Sequence, residues 1–177
     1  MKPYTKALIA LTLVTVVTYG VLVGVGASNL TLGEDNLKPF DLRFSGYTLA
    51  EAQTYLALMT AEQSALYIGF LRYVDTAFPM LMGLWMGWCL WGLTRAVHPW
   101  SRIILLVVPA SFTVMDLCEN ALVSDMVMRG TTGLEAGLVT LASSYTITKY
   151  VMLSVAFGLL LAMMIYKTGF VGRGRKG

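Results

Sequence analysis

The sequence predicts an all-α fold: a polytopic membrane protein built as a four-transmembrane-helix bundle, with a short amphipathic helix in the first outer loop. Three observations carry this. The chain is 56% hydrophobic and only 13% charged, where a soluble domain carries about 25% charged residues. Its mean hydropathy is +0.67. It also contains four apolar runs, at residues 7–27, 75–97, 101–123 and 145–166, each near the ~20 residues a helix needs to cross ~30 Å of hydrocarbon. No segment is long and polar enough for a second domain, so residues 1–177 read as one transmembrane domain. The net charge of +3 offers no surface for nucleic acid.

The first span carries Gly20 and Gly24, a GxxxG pair that lets a second helix come close. Its apolar run outlasts the 7–15 residues of a cleaved signal peptide, for which Val25-Gly26-Ala27 is the competing site. Thr12, Thr15 and Thr18 give it a polar edge, of a kind that usually bonds back to the helix backbone. Residues 28–46 form a loop rich in Gly, Asn and Asp. Asn29-Leu30-Thr31 matches a glycosylation sequon, which matters only in a eukaryotic secretory pathway. Thr48-x-x-Glu51 and Thr60-x-x-Gln63 each read as a capping box. They predict a short helix over 49–58 and a second helix opening near Ala61. Leu49, Ala52, Leu56 and Met59 form an apolar stripe on the short helix, which lies on the membrane surface or caps the bundle.

In the second span Pro79 stands four residues after Asp75, so the Asp75 carbonyl loses its helical N–H partner. A kink beside a carboxylate is the expected result. Asp75, Met82, Met86 and Cys89 follow one face, Gly83 and Gly87 make a second GxxxG, and the methionines read as packing rather than soft-metal ligands. Cys89 and Cys118 read as free buried thiols, since neither belongs to a CxxC. Residues 95–102 and 124–144 read as connections, and the basic, glycine-rich stretch 167–177 as a tail without fixed structure.

Orientation follows from charge. With the N-terminus in the cytoplasm, four spans return the C-terminus there. Cytoplasmic segments then hold Lys2, Lys6, Arg95, Arg102, Lys167, Arg173, Arg175 and Lys176, and all ten acids fall in the outer half. Lys and Arg asymmetry sets topology.

Within the third span, Asp116, Glu119 and Asn120 share one helical face by spacing. Asp116 sits about 10 Å below the outer surface at ~1.5 Å per residue. Asp75 and Lys149 enter the neighbouring spans at the same end, and Tyr67 and Arg72 stand just upstream of Asp75. Ionisable groups at such depth face a protein interior or a wet cavity. Four antiparallel helices bring Asp75, Asp116, Glu119, Asn120, Lys149, Tyr67 and Arg72 to a polar pocket in the outer leaflet. Three carboxyls and one lysine cannot all stay ionised at low cost there unless a cation or Lys149 sits between them. Taken alone, Lys149 reads as an interface lysine that snorkels.

Other chemistries are thin. The one histidine, His98, lies in a connection, and no GxSxG, Walker A, HExxH or GxGxxG occurs. No cofactor is expected; a metal, if bound to these oxygen ligands, would be Ca²⁺ or Mg²⁺.

The succession Phe-Asp-x-Arg-x-x-Gly-Tyr at residues 40–47, Tyr67, Asp75 with Phe78-Pro79, Asp116-x-x-Glu119-Asn120, then Lys149 resembles a group of uncharacterised bacterial four-span inner-membrane proteins. The resemblance runs from the first loop to the fourth span and excludes the connection before that span. It implies a bacterial inner membrane and no specific activity. Two readings of function follow. In one, the pocket binds a small ligand or a lipid headgroup, with Asp116 and Glu119 as working carboxyls and acid–base chemistry open to them. In the other, the chain is an accessory or assembly subunit of a larger membrane complex, and the charged cluster is structural.

Overall fold

The structure, a computed structural model, describes residues 1–173, and the side chains of residues 1–168. Among the described residues, four helices are long and apolar enough to cross a membrane. They are α1 (Pro3–Leu30), α3 (Ala61–Leu93), α4 (Pro99–Arg129) and α5 (Ala136–Arg173), with the short α2 (Leu49–Leu58) between the first two. The chain is a polytopic all-α membrane protein. Its lipid-facing surface is apolar, with Leu13, Val17, Leu84, Ile104 and Leu161 all exposed.

Both capping boxes form. The Thr48 and Thr60 hydroxyls accept from the backbone N–H groups of Glu51 and Gln63, whose side chains accept from the backbone N–H of the cap residue in return. Each closes a helix start that would otherwise leave donors unsatisfied. The bonds from Thr48 hold the Glu51 carboxyl below its usual range. The stripe on α2 caps the bundle: Ala52, Tyr55 and Leu56 are buried in a core shared with Leu71, Val123, Met126 and Val139. The intervening loop folds over the same end. Gly46 turns it with φ of +82°, and the next residue, Tyr47, donates its backbone N–H to Ser143 Oγ at 2.9 Å. A Cβ on Gly46 would collide with that Ser143 hydroxyl and Ile147.

α3, α4 and α5 pack on one another, and α1 packs along α3. Among the described residues no comparable contact joins α1 to α4 or α5. The Gly83–Gly87 face of α3 is used inside the bundle. A Cβ on Gly83 would run into Thr113 Oγ1 and approach the Pro109 carbonyl to 3.3 Å, so α4 lies directly against α3 there. Gly20 and Gly24 of α1, by contrast, meet nothing within 4 Å. Met86 is fully buried against Leu90, Phe112 and Ala156 and serves as packing.

Several boundaries differ from the sequence reading. Residues 124–144 are not a long connection. α4 continues to Arg129, α5 starts at Ala136, and only residues 130–135 join them. The polar residues there are compatible with helix: Arg129 pairs with Asp125 one turn back along α4 and reaches Glu135 across the connection. α3 stops at Leu93, short of residue 97, and α4 starts at Pro99, whose missing N–H costs nothing at a first turn. The stretch expected as a tail continues α5 through Arg173, and residues 174–177 lie outside the described residues. α1 and α3 each contain a π-helical stretch, Leu22–Ala27 and Tyr67–Leu71, and the two face each other where Leu71 approaches Gly26. The departure from helical dihedrals in α3 falls at Gly69, with α3 running on through Pro79.

Candidate functional site

The side chains that reach one another at the capped end of the bundle come from four segments. From α4, Asp116 and Glu119 point at α5; from α5, Lys149 and Thr146 point back. Lys149 Nζ lies 2.9 Å from Asp116 Oδ1 and is also paired with Glu119 Oε2. Thr146 Oγ1 donates to Glu119 Oε1 at 2.5 Å. The exposures of these side chains are 8% for Lys149, 5% for Asp116 and 0% for Glu119. Lys149 therefore does not snorkel. Its four-carbon stem would reach an interface, but the two carboxylates on α4 are nearer and would otherwise stand buried without a cation. Above them, burial and the adjacent Glu119 carboxylate push the Tyr47 hydroxyl well above the ordinary tyrosine range.

Asn120, one residue on, does something separate. Its Nδ2 donates to the Asp75 carbonyl at 2.9 Å. That is the oxygen left without an N–H by Pro79. A side-chain amide of α4 thus completes the backbone bonding of α3. Arg72 Nη1 donates to Ser124 Oγ at 2.6 Å, and Ser124 donates in turn to the Asn120 carbonyl at 2.8 Å. The loop contributes Asp41 from its one helical turn, Phe40–Leu42. Tyr67 donates to Asp41 Oδ1 at 3.2 Å and Tyr150 to the Asp41 carbonyl at 2.8 Å, so two transmembrane helices pin the loop over the site. Arg43 is held away from it, donating to the Lys38 carbonyl and stacked among Phe40, Tyr47 and Tyr55.

These groups surround one cavity of about 420 Å³. Asp41, Asp75, Asp116, Asn120, Arg72, Tyr67 and Lys149 line its polar end, while Leu22, Phe78, Met82, Phe112 and Leu153 line the rest. Val16, Tyr19 and Phe157 line it too, yet are 61%, 54% and 43% exposed. The cavity therefore opens sideways between α1 and α5, at the depth of the spans. Glu119 does not line it and stands behind Asp116.

The residues singled out from sequence thus divide. Asp116, Glu119 and Lys149 form a buried triad; Asn120 completes α3; Asp75, Arg72 and Tyr67 face the cavity. Sequence reasoning assigned no role to Asp41, Thr146 or Ser124. The local signal for Asp41 was the Phe-Asp-x-Arg-x-x-Gly-Tyr run itself, in which polar residues that need partners sit beside aromatic anchors. Among the described residues no group of three or more His, Cys, Asp or Glu is disposed to hold a metal ion. No protein-family model, curated protein or solved structure matches the chain.

Proposed function

We propose that this protein binds a small amphipathic ligand or lipid in the cavity between α1 and α5, its polar group among Asp41, Asp75, Arg72 and the Asp116–Lys149 pair. One observation carries the reading: an apolar-walled space of about 420 Å³, polar at one end and open laterally within the spans. Ligand sites have this size and this division of labour. Asp116 and Glu119 are both paired with Lys149, which favours binding over turnover and moves the working role toward Asp75. Purified in mild detergent, the wild-type chain should retain an amphiphile detectable by native mass spectrometry. Met82→Trp and Leu153→Trp, which fill the cavity from α3 and from α5, should lose it at an unchanged thermal midpoint. Full retention in both would overturn the reading. Asp116→Asn and Glu119→Gln test the triad in the same assay: stability and retention lost in strict proportion make it a clamp, and retention lost alone makes it part of the binding surface.

The membrane proposed is a bacterial inner membrane, supported by the resemblance above, with both termini cytoplasmic, supported by the placement of Lys2, Lys6, Arg95, Arg102 and Lys167 at one end. Tyr4 lies at that end with Lys167, along one groove, so the two termini share a side. A periplasmic reporter in the 28–46 loop should be active and one after Gly177 silent; the opposite pattern inverts the cavity.

The accessory-subunit reading is favoured by the open Gly20–Gly24 face of α1, free for another helix. Crosslinking in the native membrane that returns a constant stoichiometric neighbour would support it.

A further inference from the structure

We propose that the ligand is a lipid whose headgroup joins a phosphate to a primary ammonium, the phosphate on Arg72, the ammonium on Asp75 and Asp41, and an acyl chain along the α1–α5 cleft. This rests on the ligand-binding reading and adds the headgroup class to it.

The polar groups facing the cavity differ in what they still lack. Lys149 is occupied by two carboxylates and has little left for an anion. Arg72 spends one N–H on Ser124, and the rest of its fork has no other partner among the described residues. A guanidinium fork matches a phosphate. Asp75 gives its carbonyl to Asn120, but its carboxylate makes no hydrogen bond or ion pair among the described residues, although it is half-buried and lines the cavity. Asp41 takes the Tyr67 hydroxyl on one oxygen only. A carboxylate left open in such a place calls for N–H donors. A primary ammonium brings three, a quaternary one none. Arg72 and Asp75 are three residues apart on α3, so they present adjacent faces to the same space.

Charge argues the same way. The carboxylates of Asp41, Asp75 and Asp116, with Glu119 behind, outnumber the cations Arg72 and Lys149. A purely anionic headgroup would deepen that excess, whereas a phosphate that brings its own ammonium does not. The tail has a path. Beyond Trp85 and Phe157, whose rings stand 6.3 Å apart, a second groove of about 550 Å³ continues between α1 and α5, lined by Leu8, Cys89, Leu161 and Met164. Trp85 and Phe157 line both spaces, and Trp85 is fixed by its bond to Thr12 Oγ1 at 2.9 Å.

The test presents the full-length chain in detergent with equal amounts of dioleoyl phosphatidylethanolamine, phosphatidylcholine and phosphatidylglycerol, and reads bound lipid by native mass spectrometry. Phosphatidylethanolamine should be preferred by about tenfold, the equivalent of about 1.4 kcal/mol. Asp75→Asn should erase the preference over phosphatidylcholine while some lipid still binds. Arg72→Gln should weaken all three by a similar factor. The thermal midpoint shows that each variant is folded, and Asp41→Asn serves as a milder second probe should Asp75→Asn fail to fold. Equal binding of the three lipids that Leu153→Trp still abolishes would overturn the headgroup assignment and leave the cavity reading standing. No lipid sensitive to Leu153→Trp would overturn both.

Discussion

Lys149→Met should cost about 3–5 kcal/mol of stability, because it leaves Asp116 and Glu119 buried with no countercharge. In a chain of this length that corresponds to a fall of roughly 6–20 °C in thermal midpoint. The loss should shrink when the carboxylates go too. Adding Asp116→Asn and Glu119→Gln to Lys149→Met removes the charges that the lysine was compensating, so the triple variant should be more stable than the single one. Groups that share a network couple by about 0.5–3 kcal/mol. Unfolding of the purified variants in a detergent titration measures all of this. A Lys149→Met chain with wild-type stability would mean that the ammonium finds water and that the three groups are not a closed unit.

The second large effect lies at Asn120. Asn120→Ala removes the donor to the Asp75 carbonyl and leaves a partly buried oxygen without its partner, at about 1–3 kcal/mol. Pro79→Ala is the compensating change, since it restores the N–H that the carbonyl would have received within α3. Asn120→Ala should therefore cost much less in the Pro79→Ala background than in the native one. Equal cost in both would show that the amide contributes something other than completing the helix.

That pair also shows where the sequence was legible. Pro79 announces a freed carbonyl at Asp75 by simple counting, and the spacing of Asp116 and Asn120 puts an amide on the right face of its own helix. The caps at Thr48 and Thr60 were equally local, since each needs residues three apart and nothing else. The spans followed from hydropathy. What sequence left open depends on how helices are turned about their axes. Lys149 can rise to the interface or turn inward, and only the packing of α4 on α5 decides it. Asp41 lies in a loop that gains a role by folding over the bundle, pinned by Tyr67 and Tyr150 from two distant helices. The 124–144 stretch reads as a connection because polar residues enter there, whereas a helix that leaves the membrane continues with them. The gap between α1 and α5 has no signature in either helix alone, because it depends on how the two are placed against α3 and α4.

The triad has a consequence for biogenesis. α1 is complete in itself: its Thr12, Thr15 and Thr18 hydroxyls bond to their own helix's carbonyls, and it can reside in lipid before any neighbour exists. α4 is not. Asp116 and Glu119 penalise the partition of a lone helix by a few kcal/mol each on the insertion scale, and the cation that relieves them follows 33 residues after Asp116. Only residues 130–135 separate the two helices. In energetic terms α4 and α5 are one insertion unit, a hairpin whose second arm carries the counterion for the first.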